Sequence, residues 1–163
     1  MARIFLICII LLGCDGAVQE KKVVQDPQDT AEVNVDTSSM LGRTECFWMI
    51  SQRDTMVAVL LQTGDQVTGR LSFDNYQMDG STGSVTGIIE DDTLKLWYSF
   101  QAEGTNSIME TWFKRSEDAL TRGVGPTAVR GDTSYFTDHA AIRFPNTQVL
   151  RKTSCDSIPE KYK

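Results

Sequence analysis

Hydrophobic and polar residues alternate along much of the chain after residue 43. The run 66–74 places Val67, Leu71 and Phe73 on one face and mainly polar residues on the other. The run 93–101 repeats this pattern, with its apolar residues at the even positions. A period of two is typical of a β-strand that buries one face, so both runs are predicted strands.

Short β-prone runs separated by turn residues follow one another almost to the end of the chain. Helical periodicity is nearly absent, and the one helix candidate is a short turn between Gly131 and Ala141. The predicted strands are 46–51, 55–62, 66–74, 84–90, 93–101 and 107–114, with weaker candidates at 119–125, 140–144 and 147–152.

The fold class predicted from this succession is all-β. Consecutive antiparallel strands must avoid exposed edges, and closure of the meander into a small lipocalin-like barrel is the simplest solution. A curved open sheet and a β-sandwich are the alternatives. Gly69 and Gly87 fit each of these folds, because a tightly coiled sheet bends where a side chain is missing.

The N-terminus has the composition of an export signal. Arg3 supplies a positive charge, and residues 4–12 are all apolar. This apolar run is too short to cross a bilayer as a helix, which needs about 20 residues. A charged start, a short apolar run and the small residue Gly13 are instead typical of a secretory signal peptide.

The residues Leu11-Leu12-Gly13-Cys14 resemble the lipobox of bacterial lipoproteins with a type II signal peptide. In that family the cysteine thiol receives a diacylglyceryl group, a peptidase cuts before the cysteine, and the new amino group is acylated, typically with palmitate. The resemblance implies that the mature chain begins at the lipidated Cys14 and is held on a membrane. Asp15 leaves open whether this is the inner or the outer membrane of the cell envelope.

The expected segments follow from this cleavage. Residues 1–13 form the signal peptide, and residues 14–43 form a lipidated N-terminus with a flexible tether, because residues 19–40 are largely polar and contain no aromatic residue. A single β domain is expected at 44–156, followed by a C-terminal tail at 157–163.

Charge and cysteine content limit the functions that the chain can have. The formal net charge is −6, and removal of the signal takes away only Arg3, so the mature chain carries −7. Such an acidic chain lacks the basic surface that nucleic-acid binding requires.

Cys46 and Cys155 remain after processing, and in an oxidising compartment we expect them to form a disulfide. With one histidine, His139, neither a metal site nor a cofactor is predicted.

The candidate binding residues lie on two adjacent strands and the turn between them. In an extended strand Glu110 and Trp112 point the same way, so the carboxylate is predicted to lie beside the indole and to serve as an acid, a base or a ligand group. The alternatives are a place at the barrel rim or a structural pair with an arginine, for which the candidate partners are Arg70, Arg115 and Arg122. Glu103, in the preceding turn, is a second candidate carboxylate.

Two further aromatic or titratable residues are expected at the surface. Trp97 lies on the non-core face of its predicted strand, where an exposed aromatic ring would mark a contact surface. His139 is expected to be a surface histidine, because its neighbour Asp138 rarely has the geometry of a base and its orienting group.

Cys46 followed by an aromatic residue, the strand meander, the Glu103-Gly104 turn and Cys155 resemble small uncharacterised envelope lipoproteins of the Bacteroidetes type. The resemblance covers most of residues 44–156, and it implies an envelope location without implying an activity.

The sequence therefore leaves three functions open. The first is a non-enzymatic binding module for an envelope protein or a small ligand. The second is a lipocalin-like carrier of a small apolar molecule, which requires an internal cavity of about 300 Å³ or more. The third is a hydrolase, in which Glu103 and Glu110 would converge in a cleft.

Overall fold

The computed structural model describes residues 41–51, 53–77, 79–102 and 104–163. The predicted signal peptide, the lipidation site Cys14, the tether up to residue 40 and the candidate Glu103 lie outside the described residues. Within the described ranges, no helix is long and apolar enough to cross a membrane.

The described residues form ten strands and three short 3-10 helices, the helices spanning His139–Ala141, Cys155–Ser157 and Glu160–Tyr162. The strands are β1 (Arg43–Ser51), β2 (Asp54–Thr63), β3 (Gln66–Asp74), β4 (Ser81–Glu90), β5 (Thr93–Ala102), β6 (Thr105–Arg115), β7 (Ala119–Arg122), β8 (Thr127–Arg130), β9 (Thr133–Phe136) and β10 (Val149–Thr153).

Eight of these strands close into an antiparallel barrel. Strands β1 to β7 pair in chain order, β10 pairs with β7, and β1 pairs with β10 to complete the ring. Closure gives each of these strands a hydrogen-bonded neighbour on both sides, which removes exposed edges. The predicted closed antiparallel barrel is confirmed, and the open sheet and the sandwich are excluded.

A hairpin that the sequence did not predict is attached to the outside of the ring. β8 and β9 form this hairpin, and β9 pairs in parallel with β6 at Ile108 and Met109. The predicted strand at 140–144 is wrong, because His139–Ala141 is a 3-10 helix and only Arg143 forms a β-bridge, with Val124.

The apolar face of the alternating runs fills the barrel. Val67, Leu71, Leu96 and Tyr98 are each at most 1 % exposed, as the period-two pattern predicts. A cavity beside Phe47, at the end of the barrel that holds Glu45, has a volume of about 10 Å³. This is about the space that one water molecule needs, so the cavity cannot hold a carrier's ligand.

Glycines in β3 and β4 permit the tight coiling of the barrel. Gly69 has a φ of +155°, and a Cβ atom there would lie 2.0 Å from the carbonyl oxygen of Val59. A Cβ at Gly87 would lie equally close to the carbonyl oxygen of Lys95. Neighbouring strands therefore approach at these positions more closely than any side chain allows, in agreement with the bends predicted there.

A second, smaller core covers the outer face of β1 and β2. The predicted disulfide between Cys46 and Cys155 is present, with its Cα atoms 5.2 Å apart. Ile158 and Tyr162 are buried in this same cluster. The stretch 157–163, set apart as a tail in the sequence, therefore packs on the barrel.

Candidate functional site

A cleft lies along one edge of β6, where the strand that pairs with this edge changes from β7 to β9. β7 pairs with β6 at residues 113–115, and β9 pairs with the same edge at Ile108 and Met109. Beyond Gly123, whose N–H still donates to the carbonyl oxygen of Trp112, the chain leaves this edge for the β8–β9 hairpin. The seam between the two stretches holds a cleft of about 430 Å³, hereafter the seam cleft.

Glu110 lines the seam cleft and is 8 % exposed. Its Oε1 accepts a hydrogen bond from Trp112 Nε1 at 2.8 Å, and its Oε2 accepts one from the backbone N–H of Phe136 at 2.8 Å. The predicted placement of Glu110 beside Trp112 is confirmed. Of the alternatives, an arginine partner is not found among the described residues, and His139 Nε2 instead pairs with Oε1 at 2.9 Å.

Trp112 is enclosed by groups from three directions. The His139 ring stacks on it with centroids 4.7 Å apart and an interplanar angle of 26°. Phe136 meets it edge to face at 6.3 Å, and Lys95 Nζ lies 5.0 Å from its ring centroid. The His139 side chain is 55 % exposed, as expected for a surface histidine, yet it also covers Glu110.

The other aromatic candidate lies next to this group. Trp97 is directly opposite Glu110 in the β5–β6 register and is 44 % exposed on the outer face. It is thus on the non-core face, as predicted. The structure brings Glu110, Trp112 and Trp97 to one outer surface, whereas Glu103 lies outside the described residues.

Arg122 is a component of the seam cleft that the sequence pattern did not identify as a binding residue. Its Nη1 donates to Gln148 Oε1 at 3.1 Å, and its guanidinium carbon lies 5.0 Å from the Phe73 ring centroid. Its Nε is buried and has no hydrogen-bond partner. Burial lowers the pKa of Arg122 from its ordinary value. The signal was available, because Arg122 is two residues after the inward-facing Leu120.

A second polar group lies at the opposite end of the barrel. Glu45 is 6 % exposed, and its carboxylate pairs with Arg43 at 2.9 Å, with Lys152 at 2.5 Å and with Arg115. Burial, and secondarily the charge of Arg43, lowers the pKa of Arg115. An open cleft of about 590 Å³ adjoins this group.

The sequence pattern did not identify the Glu45 group either. Glu45 lies two residues before Phe47, so the alternation of β1 directs it toward the barrel interior. A charged residue at an inward position near a strand end is a signal for a polar cluster. The cluster contains one carboxylate and three cationic side chains, and the ion pairs between them explain why these charged groups lie together.

The chemistry that the seam cleft can perform follows from its charged groups. Glu110 is the one acidic residue among the described residues that line the cleft, so no pair of converging carboxylates is described there. In the described part of the chain, no group of three or more His, Cys, Asp or Glu residues could hold a metal ion. The seam cleft thus contains one partly buried cation, Arg122, and one anion, Glu110, which has three hydrogen-bond or ion-pair partners.

Comparison with known proteins finds no matching family model, no matching curated protein and no matching solved structure.

Proposed function

We propose that this chain is a lipid-anchored lipoprotein of the bacterial cell envelope, whose β-barrel domain is a binding module outside the cytoplasm. The anchor is proposed from the charged start, the short apolar run and the residues Leu11-Leu12-Gly13-Cys14. Two or three acyl chains on Cys14 suffice for a durable anchor, since each buried methylene contributes about 0.8 kcal/mol.

The observation that carries this proposal is the disulfide between Cys46 and Cys155. Disulfides persist in oxidising compartments and are rare in the cytosol. A domain with a disulfide between its first strand and its C-terminal segment is therefore suited to an exported protein, and an export signal precedes it.

A binding function is favoured over the two alternatives by the interior and the clefts. The cavity beside Phe47 inside the barrel has a volume of about 10 Å³, which is far below the roughly 300 Å³ that a carrier of a small molecule needs. Among the described residues that line the seam cleft, Glu110 is the one carboxylate, and it already accepts three hydrogen bonds or ion pairs. These contacts connect Glu110 of β6 to the backbone of Phe136 and to His139, which favours a structural role for this carboxylate.

The anchor is tested by intact mass. The full chain is expressed in a bacterial host and purified from membranes in detergent, beside a Cys14→Ala variant. We expect the wild type to have the mass of residues 14–163 plus a diacylglyceryl group and an acyl chain, and to need detergent for extraction. The variant should lack these additions. A wild-type species that begins at an unmodified residue other than Cys14 would disprove the anchor.

A further inference from the structure

We propose that the seam cleft binds a small organic carboxylate, with the Arg122 guanidinium as the counter-ion of the ligand. The inference rests on the binding-module part of the proposed function and specifies the chemical class of its ligand. It does not depend on the lipid anchor.

Within the described part of the chain, the charge on Arg122 has no anionic partner, although its guanidinium carbon lies 5.0 Å from the Phe73 ring centroid. A guanidinium has five N–H donors. Two of them have acceptors, Gln148 Oε1 at 3.1 Å and the weak acceptor Met109 Sδ at 4.0 Å. Both acceptors are uncharged, and Nε has none. No described carboxylate forms an ion pair with Arg122, in contrast to the other partly buried arginine, Arg115, which pairs with Glu45.

A guanidinium without an anionic partner lowers the stability of the folded domain, so a structural role alone does not explain Arg122. A charge that is partly removed from water without a counter-ion destabilises the folded state, and apolar residues of similar size fill the same space more favourably. The domain compensates its other buried charges, since Glu45 has three cationic partners and Glu110 has three donors. The exception at Arg122 indicates that its anion comes from outside the domain.

The geometry favours a carboxylate over a phosphate. The planar N–H donors of a guanidinium match the two oxygens of a carboxylate. Glu110 lines the same cleft, and its negative charge disfavours a ligand that carries two charges. A singly charged carboxylate therefore fits the site best.

The remaining lining sets the size and polarity of the ligand. The cleft volume of about 430 Å³ is in the range of small-molecule sites. Phe136, Met109 and Val124 supply apolar surface, whereas Ser134, Thr147 and Gln148 supply hydroxyl and amide groups. A carboxylate on a compact, partly apolar body, such as an aromatic acid, matches this lining.

The test is titration calorimetry of the full chain in mild detergent with three probes. The probes are benzoate, its neutral analogue benzamide, and inorganic phosphate. We expect benzoate to bind at least about tenfold more tightly than either of the others, which corresponds to about 1.4 kcal/mol. Equal affinity for benzoate and benzamide, or tighter binding of phosphate, would overturn the proposal.

Variants assign the binding to Arg122. Arg122→Gln should weaken benzoate binding about tenfold or more, and Arg122→Lys should weaken it less, because the charge remains and the planar donors are lost. Arg70→Gln is the matched control, since Arg70 is an exposed arginine of β3. This control should bind benzoate like the wild type, and the proposal fails if it loses as much affinity as Arg122→Gln.

A purely structural role for Arg122 gives a different result. Arg122→Met removes an uncompensated charge, so we expect an unchanged or higher Tm together with the loss of benzoate binding. A lower Tm with benzoate binding intact would assign Arg122 a structural role and overturn the proposal. If Arg122→Met does not fold, the benzoate affinity of Arg122→Lys relative to that of Arg122→Gln decides between a ligand-binding and a structural role. The mass of the processed chain reports on the lipid anchor independently, so failure of either proposal is recognised separately.

Discussion

The hydroxyl of Tyr162 donates a hydrogen bond to Oδ2 of Asp74 at 2.7 Å, although the two residues are 88 positions apart in the chain. Lys161 Nζ pairs with the same oxygen at 3.1 Å. Asp74 ends β3, and Tyr162 is buried in the small core on the outer face of the barrel. This contact, the C-terminal latch, attaches the end of the chain to a strand that the disulfide does not reach.

The latch should weaken in acid. The hydroxyl of Tyr162 and then the ammonium group of Lys161 hold the pKa of Asp74 below its ordinary value of 3.8. A carboxylate whose pKa is lowered by folding contributes its full stabilisation above pH 3.8, and this contribution is lost as the pH falls through the folded pKa. The protection factors of the C-terminal amides, corrected for the intrinsic pH dependence of exchange, should therefore fall as the pH drops below about 3.8. Tyr162→Phe should reduce this acid dependence, whereas Tyr76→Phe, at an exposed position, should retain it.

Glu110→Ala should destabilise the domain. The substitution leaves Trp112 Nε1 and the backbone N–H of Phe136 without their acceptor, and each buried donor left unsatisfied costs about 1–3 kcal/mol. We expect a loss of about 3 kcal/mol in the free energy of unfolding, measured by urea denaturation. The exposed Glu117 provides the control Glu117→Ala, which should change stability by less than about 0.5 kcal/mol. A similar stability in both variants would contradict the role given to Glu110.

Gly69→Ala should be far more harmful than Gly64→Ala. A Cβ at Gly69 would lie 2.0 Å from the backbone oxygen of Val59, which cannot move without separating β2 from β3. We expect a loss of about 3 kcal/mol or more for this variant. Gly64 also has a positive φ, +59°, but a Cβ added there would meet no atom within 4 Å, so about 1 kcal/mol is expected. Thermal unfolding monitored by circular dichroism measures both, and equal losses would refute the close-approach argument.

Loss of the disulfide should lower stability without changing the fold. Cys46 and Cys155 are 109 positions apart, and closure of a loop of this length contributes about 4 kcal/mol in the chain-entropy model. The double variant Cys46→Ser/Cys155→Ser should unfold at a correspondingly lower urea concentration, and the reduced wild type should match it. Thiol counting on the denatured, unreduced chain checks the bridge, since free thiols at both cysteines would contradict it.

The barrel could be predicted from the sequence because its strands carry strong local signals. The period-two pattern of Val67, Leu71 and Phe73 fixes which face is buried, and polar turns mark the ends of the strands. Gly69 and Gly87 indicate where the sheet bends. These signals are local, so one sequence suffices to read them.

The seam cleft depends on contacts that no local pattern encodes. β8 and β9 are four residues long, and the pairing of β9 with β6 is parallel, which joins segments distant in sequence. The partner of Glu110 illustrates this limit: His139 reaches it because the chain folds back after the hairpin. The strand pattern placed Glu110 beside Trp112 correctly, yet it could not choose between an arginine and a histidine as the partner.

The first strand of the barrel begins at one end of the domain, and the seam cleft lies toward the other end. β1 begins at Arg43, beside Glu45, and its nine residues extend over about 30 Å to the β1–β2 turn. Phe73, on which Arg122 lies, pairs with Met56 near that turn. The seam cleft therefore lies toward the end of the strands that is far from Arg43, so the proposed carboxylate would enter the domain at that end.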